Sequence, residues 1–181
     1  MILSDKSIEV AIKDKEIVIK PFDKKAVGSA SLDLSLGNTI LVYNKDGKTI
    51  DTKDLSKCAD MVKLEFKDEE QIILQPGDFI LGVTLEEVEL PASIAARVDG
   101  RSSLGRLGLA IHSTAGHVDP GFKGKIVLEM SNVGIKPIAL YPKMKICQLV
   151  FERLDTPTDN PYNEKKGAKY TNVKDVEGSK L

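Results

Sequence analysis

The sequence has no tryptophan and only two cysteines among its 181 residues. Cys58 and Cys147 are too few and too far apart for a disulfide framework or a Cys-x-x-Cys metal half-site. Their apolar neighbours predict small buried side chains rather than nucleophiles. Four tyrosines and five phenylalanines are too sparse for a surface on which nucleic-acid bases stack.

The sequence also lacks an excess of charge of either sign, and it lacks long apolar runs. The formal net charge is −1 and 29% of the residues are charged, so bulk electrostatics favour neither nucleic acid nor a membrane surface. No apolar run approaches the roughly 20 residues of a membrane helix, and the N-terminus lacks the layout of a signal peptide. We therefore expect a cytoplasmic protein with a single domain and a substantial core.

Arginine is the scarce basic residue, because lysine supplies all but four of the 26 basic side chains. Three of these arginines, Arg97, Arg101 and Arg106, lie close together in the sequence. A planar guanidinium is favoured over lysine where a phosphate or carboxylate is held at two points. The cluster therefore predicts an anion site.

Glycines are frequent in the same region, at positions 100, 105, 108, 116, 121 and 124. They fit tight turns of an all-β protein, and they equally fit a backbone that approaches a ligand closely. Ser102 and Ser103 beside the arginines favour a phosphate ligand. No GxxxxGK[ST] or GxGxxG motif is present, which excludes the usual nucleotide loops.

Short alternating or β-branched runs separated by turn residues predict a mainly β fold, a sandwich or barrel. A helix is expected over residues 1–14, with Ser4 as its cap. The predicted strands are 16–20, 31–36, 38–43, 61–66, 71–75, 79–90, 94–98, 107–112, 125–130, 138–141 and 145–154.

The composition changes after residue 154, which divides the chain into a β domain, 1–154, and a tail, 155–181. The tail is polar and contains two tyrosines and the cluster Lys165, Lys166 and Lys169. Such a segment is typical of disorder, but it equally suits a flexible lid that closes over a bound anion.

Four side chains in the central stretch are candidates for chemistry. Glu129 alternates with buried positions in KIVLEM, so it lies either on a solvated face or in a cleft, where shielding from water would raise its pKa toward the range useful for proton transfer. Asp119 precedes Pro-Gly and is by itself an ordinary turn former. His112 and His117 have no third ligand at a metal spacing, so we expect no protein-bound metal.

The stretches GRSSLGRLGL (100–109) and HSTAGHVDPGFKGKIVLE (112–129) resemble the dCTP deaminase family, a branch of the trimeric dUTPase-like superfamily. The resemblance extends to SASLDLSLG (29–37), PKMKICQLVF (142–151) and PYNEKKGAKY (161–170). It implies a dUTPase-like distorted β-barrel or jelly-roll that forms a homotrimer with sites between subunits. It also implies that Mg²⁺ arrives on the nucleotide triphosphate and that dTTP acts as a feedback inhibitor.

The resemblance implies deamination of dCTP to dUTP and ammonia, in which Glu129 moves the protons, Ser102 holds the attacking water and Arg106 supports the charge. Asp119 would bind the sugar 3′-hydroxyl and Phe122 would stack on the ribose. The implied substrate-binding set is Arg101, Ser102, Ser103, Leu104, Gly105, Arg106, Asp119, Phe122, Val127, Leu128, Glu129, Gln148, Tyr162 and Lys169.

Ala115-Gly116 resembles the bifunctional branch of the family, which also hydrolyses dUTP to dUMP and diphosphate. His117 replaces a tryptophan that is frequent in that branch, and Val173 replaces a tail glutamine. The alternatives are a deaminase that releases dUTP, a dUTPase, and a nucleotide-sensing trimer without turnover. Glu129 and Arg106 argue against a dUTPase, because hydrolysis of a phosphoanhydride needs neither side chain at the edge of the base. The set Ser102, Arg106, Asp119 and Glu129 argues against a sensor, because a binding protein has no use for a shielded base.

Overall fold

The computed structural model describes residues 1–47, 49–53, 61–112 and 114–180, so Cys58 lies outside the described residues. The helices in this part of the chain are α1 (Asp5–Lys13), a 3-10 helix (Lys24–Ala26) and the four-residue α2 (Ser102–Gly105). None of them is long and apolar enough to cross a membrane. The strands are β1 (Val18–Lys20), β2 (Leu32–Tyr43), β3 (Met61–Glu65), β4 (Ile72–Leu74), β5 (Phe79–Glu89), β6 (Ile94–Gly100), β7 (Leu109–Ile111), β8 (His117–Val118), β9 (Lys123–Asn132), β10 (Ile138–Leu140) and β11 (Lys145–Arg153).

One nine-stranded sheet contains most of these strands, in the order β7-β9-β5-β2-β11-β6-β8, with β1 paired to β5 and β3 paired to β2. Strands β4 and β10 form a separate antiparallel pair. Every ladder between the described strands is antiparallel. The predicted mainly β fold class is confirmed.

The core follows from alternation along the strands, because successive side chains point to opposite faces of a sheet. In β9, Ile126, Leu128 and Met130 are buried, whereas Val127 and Glu129 on the other face are not. This two-faced strand is as predicted. Cys147 is also fully buried, as expected, and burial raises the pKa of its thiol.

The N-terminal prediction was wrong in its first residues. Ser4 does cap the helix, since its hydroxyl accepts from the Ser7 N–H at 3.4 Å, but the helix begins after it. The residues before Ser4 run beside β11 instead, where the Leu3 N–H donates to the Phe151 carbonyl at 3.0 Å. An extended start gives these backbone groups partners on β11, beyond the residues of that strand that pair with β2.

The two runs predicted around Gly37 form one strand, β2, rather than two. A Cβ at Gly37 would lie 2.9 Å from the Val83 carbonyl oxygen, so this glycine permits close approach of β5 rather than a turn. The register between β2 and β5 shifts between Leu36 and Ile40, around the same position. Such irregularities bend strands and curl sheets.

Candidate active site

A cavity of about 400 Å³ lies between β9, the segment 115–122 and the C-terminal tail. It brings together five residues of the predicted substrate-binding set: Asp119, Phe122, Val127, Glu129 and Tyr162. His117 lies on its wall as well. The cavity therefore collects five of the fourteen residues of the predicted set within a single chain.

Glu129 is held from two sides. The Thr114 hydroxyl donates to Glu129 Oε2 at 3.0 Å, which orients the carboxylate. The backbone of Glu129 pairs with His112, whose N–H donates to the Glu129 carbonyl at 2.9 Å and whose Nδ1 accepts from the Glu129 N–H at 3.3 Å. The second contact places the imidazole proton of neutral His112 on Nε2. A carboxylate fixed in this way at a cavity wall is suited to proton transfer.

Among the described residues, none pairs with the backbone of Val127 along one edge of β9. His112 covers this edge at Glu129, and Val173 of the tail covers it at Lys125, whose N–H donates to the Val173 carbonyl at 2.7 Å. Because backbone groups alternate in direction along an antiparallel strand, the N–H and C=O of Val127 face the same edge between these two contacts. They offer one donor and one acceptor to whatever fills the cavity.

The Asp119-Pro120-Gly121 sequence forms the predicted turn and places the Asp119 side chain in the cavity wall. Asp119 Oδ1 lies 3.4 Å from His117 Nε2. Phe122 follows the turn, and its ring lies 6.2 Å from the ring of Tyr162, tilted by 42°. The turn-forming and ligand-facing interpretations of Asp119 are therefore compatible.

The tail packs on the β domain along this cavity. Tyr162 N–H donates to the Pro120 carbonyl at 2.8 Å, and Tyr162 and Tyr170 both line the cavity. Further along, Val173 and Val176 are buried, and Asp175 contacts both Thr39 and Lys63. These contacts hold the segment against the β domain beside the cavity. The division at residue 154 and the mobility of the tail remain predictions.

The other nine residues of the predicted set do not line this cavity. The turn around α2 carries residues 101–106, and none of them lines the cavity of its own chain. Ser102, Ser103 and Arg106 are exposed to solvent. Gln148 lies on β11 and accepts from the Ser31 hydroxyl at 3.0 Å. Lys169 is exposed on the tail, and the Leu128 side chain points into the core, which confines any ligand contact of Leu128 to its backbone.

Several cavity residues have no signal in the sequence. Tyr43, Phe79 and Leu81 form an apolar wall from β2 and β5, and the rings of Tyr43 and Phe79 stack at 6.5 Å. Tyr170 and Thr114 were not singled out either, although Thr114 contacts Glu129 directly. Their roles depend on which strands pair and on where the tail packs.

A metal site was not expected in the protein. Within the described ranges, no group of three or more His, Cys, Asp or Glu side chains is arranged to hold a metal ion. The two histidines line the same cavity but have different partners, since His112 contacts Glu129 and His117 contacts Asp119.

The His112 imidazole gives a testable pH dependence of stability. Burial lowers its pKa, and the charge of Glu129 partly offsets this shift. Near pH 6.5 the imidazole of His112 binds a proton in the unfolded chain but stays neutral in the folded chain. The free energy of unfolding therefore falls as the pH drops below about 6.5. In the wild-type protein this proton makes the free energy of unfolding fall by up to about 1.4 kcal/mol per pH unit. We expect the variant His112→Asn to lack this contribution, and asparagine suits the positive φ of 58° at this position. Urea unfolding of both proteins between pH 7 and pH 5 measures how the free energy of unfolding depends on pH. The same slope in His112→Asn as in the wild type would show that His112 is not the titrating group.

Comparison with known proteins identifies relatives over the whole chain. The family model described as dCTP deaminase-like matches residues 2–154. A protein of Dictyoglomus turgidum named dCTP deaminase, dUMP-forming, is 46% identical over 184 residues, covering 100% of this chain and 95% of that protein. A protein of Halorubrum lacusprofundi named dCTP deaminase is 42% identical, covering 100% of this chain and 91% of that protein.

Among solved structures, the 2′-deoxycytidine 5′-triphosphate deaminase of Agrobacterium tumefaciens superposes with a TM-score of 0.65. The match covers 84% of this chain and 47% of that protein, at 21% identity. At this identity the likeness supports the fold alone, and it agrees with the curled antiparallel sheet described above.

Proposed function

Because the chain belongs to the dCTP deaminase-like family, we propose that it deaminates dCTP and then hydrolyses the resulting dUTP to dUMP and diphosphate. The observation that carries this proposal is the position of Glu129, fixed by Thr114 in a cavity beside the open backbone edge of Val127. A carboxylate oriented next to a donor and an acceptor suits a reaction on the edge of a base.

Cytosine presents an acceptor at N3 and a donor at its 4-amino group. The N–H and C=O of Val127 complement these two groups, which places C4 near Glu129. Glu129 takes a proton from water as the oxygen attacks C4 and passes it to N3, which receives the electron pair of the C4–N3 double bond, giving a tetrahedral intermediate. The same carboxyl then moves the proton of the new hydroxyl to the amino group as the C4 carbonyl forms, so that the bond from C4 to the amino nitrogen breaks and ammonia leaves with uracil as the product.

The remaining catalytic groups are proposed to come from a neighbouring copy of the chain. Ser102 and Arg106 are exposed and lie outside their own cavity, so a homotrimer that brings α2 of one subunit to the cavity of the next would complete the site. Ser102 would then hold the attacking water, and Arg106 would stabilise the charge that develops around it. Preorganised donors of this kind are each worth roughly 3 to 4 kcal/mol.

The contacts to the sugar and to the phosphates are proposed on the same arrangement of subunits. We assign the 3′-hydroxyl to Asp119 and the ribose face to Phe122, against which a 2′-hydroxyl would collide. The triphosphate enters as its magnesium complex and is held by residues from the α2 turn, β11 and the tail, namely Arg101, Ser103, Leu104, Gly105, Gln148, Tyr162 and Lys169. A thymidine nucleotide such as dTTP would compete for the same groups as a feedback inhibitor.

The second reaction depends on the segment around Gly116 and His117. A Cβ at Gly116 would lie 3.1 Å from the Val98 carbonyl oxygen, so a bulkier residue would push this segment away from β6. Glycine lets it lie flat and leaves room for a second water beside the α-phosphate. Val173 is buried against Gly124, so it does not offer the phosphates a polar side chain as glutamine would.

Product analysis tests the proposal. Incubation with dCTP and Mg²⁺, followed by ion-exchange separation, should yield ammonia, dUMP and diphosphate without accumulation of dUTP. Accumulated dUTP would identify a deaminase that catalyses only the first step. Hydrolysis of dUTP without any reaction of dCTP would identify a dUTPase and overturn the role of Glu129.

A further inference from the structure

An ion cluster next to the proposed phosphate residues contains two side chains that have no role in the site as described so far, Asp33 of β2 and Lys145 of β11. Asp33 Oδ2 lies 3.1 Å from Lys145 Nζ, and Asp33 Oδ1 lies 3.4 Å from Arg101 Nε. The Arg101 guanidinium also donates from Nη1 to the Lys145 carbonyl at 3.3 Å. Three charged groups from separate parts of the chain therefore meet at one point.

The strand register brings Gln148 to the same place. Strands β2 and β11 are antiparallel, with Asp33 opposite Gln148 and Ser35 opposite Lys145. Two of the proposed phosphate ligands, Arg101 and Gln148, are thus neighbours of Asp33. The side chains of Asp33, Arg101 and Lys145 are 20%, 33% and 39% exposed, so the carboxylate is the most buried member and the cations are nearer to solvent.

The ion cluster does more than link β2 to β11. The β2–β11 ladder already joins the two strands through backbone hydrogen bonds, and a half-exposed ion pair adds little to stability. One carboxylate also faces two cations and cannot neutralise both. An arrangement of this kind holds positive charge at a fixed place for an anion that arrives later.

We propose that Lys145 binds the triphosphate of the substrate together with Arg101, and that Asp33 is a positioning residue that holds both cations in place. This inference rests on the proposed reaction with dCTP. A lysine ammonium suits phosphate as a compact point charge, while the arginine supplies a directed fork. The partly buried carboxylate holds the Lys145 ammonium and the Arg101 guanidinium from one side, while both cations stay partly exposed to solvent.

Lys145→Met tests the ligand role, with Lys143→Met as its matched control. Both exchanges remove one positive charge from the same segment, but Lys143 pairs with Asp68 away from the cluster. We expect Lys145→Met to raise KM for dCTP about 10- to 100-fold with little change in kcat, because a charge-assisted contact is lost. Lys143→Met should keep the wild-type KM, and Lys145→Arg should restore most of the affinity. Equal KM values for the two methionine variants would overturn the assignment.

Asp33→Asn tests the positioning role through the sign of its effect. Coulomb repulsion alone predicts that removing a negative charge near a triphosphate tightens binding. If Asp33 instead holds Arg101 and Lys145, the isosteric exchange loosens both cations, and we expect KM for dCTP to rise roughly 5- to 20-fold. Asp33→Ser gives a second variant with the same expected direction. A lower KM in the folded variants, checked by circular dichroism, would overturn the positioning role.

Binding measurements separate this inference from the proposed reaction. Lys145→Met should weaken the binding of dCTP much more than that of dCMP. It should weaken the binding of inorganic tripolyphosphate about as much as that of dCTP. If the wild-type protein releases no ammonia from dCTP, the proposed function fails, while the tripolyphosphate comparison still decides the role of Lys145. An equal loss of affinity for dCMP and dCTP would contradict a contact with the outer phosphates.

Discussion

Exchanging Glu129 for Gln is expected to abolish the release of ammonia from dCTP while nucleotide binding persists. Glutamine keeps the shape of the side chain and can still accept from the Thr114 hydroxyl, which lies 3.0 Å from Glu129 Oε2. It cannot take a proton from water or return one to the leaving amino group. General acid–base catalysis contributes about 10²- to 10⁴-fold, so we expect a loss of kcat of at least this size. A coupled assay for ammonia measures it.

The control exchange is Glu69→Gln, which removes the same charge from an exposed turn after β3. It should leave both kcat and KM unchanged. Calorimetric titration with dCTP should give a dissociation constant for Glu129→Gln within a few-fold of wild type, which shows that the cavity is intact. Substantial deamination by Glu129→Gln would remove Glu129 as the base and direct attention to His112, its backbone partner.

Patterns that are local in the chain could be predicted from the sequence. The alternation in KIVLEM assigned Val127 and Glu129 to one face of β9, since the period of a strand is fixed by its backbone geometry. The Asp119-Pro-Gly turn followed from residue preferences in the same way. For the same reason, the predicted boundaries of most strands lie close to the observed ones.

Contacts between distant parts of the chain could not be predicted in this way. Tyr43 and Phe79 reach the cavity because β2 pairs with β5 and β5 pairs with β9, and no local pattern records which strands pair. The sequence predicts separate strands on either side of Gly37, because the close approach of Val83 that requires a glycine there exists only in the folded sheet. The roles of Ser102 and Arg106 were taken from a resemblance, and they stay predictions.

Replacing Gly124 with Ala is expected to detach the tail from β9 and to raise KM for dCTP at least about 10-fold. Gly124 has a φ of +138°, and an added Cβ would lie 2.6 Å from the Val173 nitrogen and 2.9 Å from its carbonyl oxygen. Both atoms belong to backbone, so the tail must move. Tyr162 and Lys169 would then lose their proposed places at the triphosphate, and each lost charge-assisted contact costs about 10-fold in affinity. Steady-state kinetics with dCTP measure the change.

Gly77→Ala separates displacement of the tail from strain in the backbone. Gly77 also has a positive φ, of +82°, but a Cβ there meets nothing within 4 Å. Both variants bear conformational strain, whereas only Gly124→Ala collides with the tail. Trypsin should therefore cleave the tail at Lys165 to Lys169 faster in Gly124→Ala than in Gly77→Ala, and only the first should show the raised KM. If tail cleavage accelerates while KM stays at the wild-type value, the tail is not part of the nucleotide site, and the proposed roles of Tyr162 and Lys169 fall together.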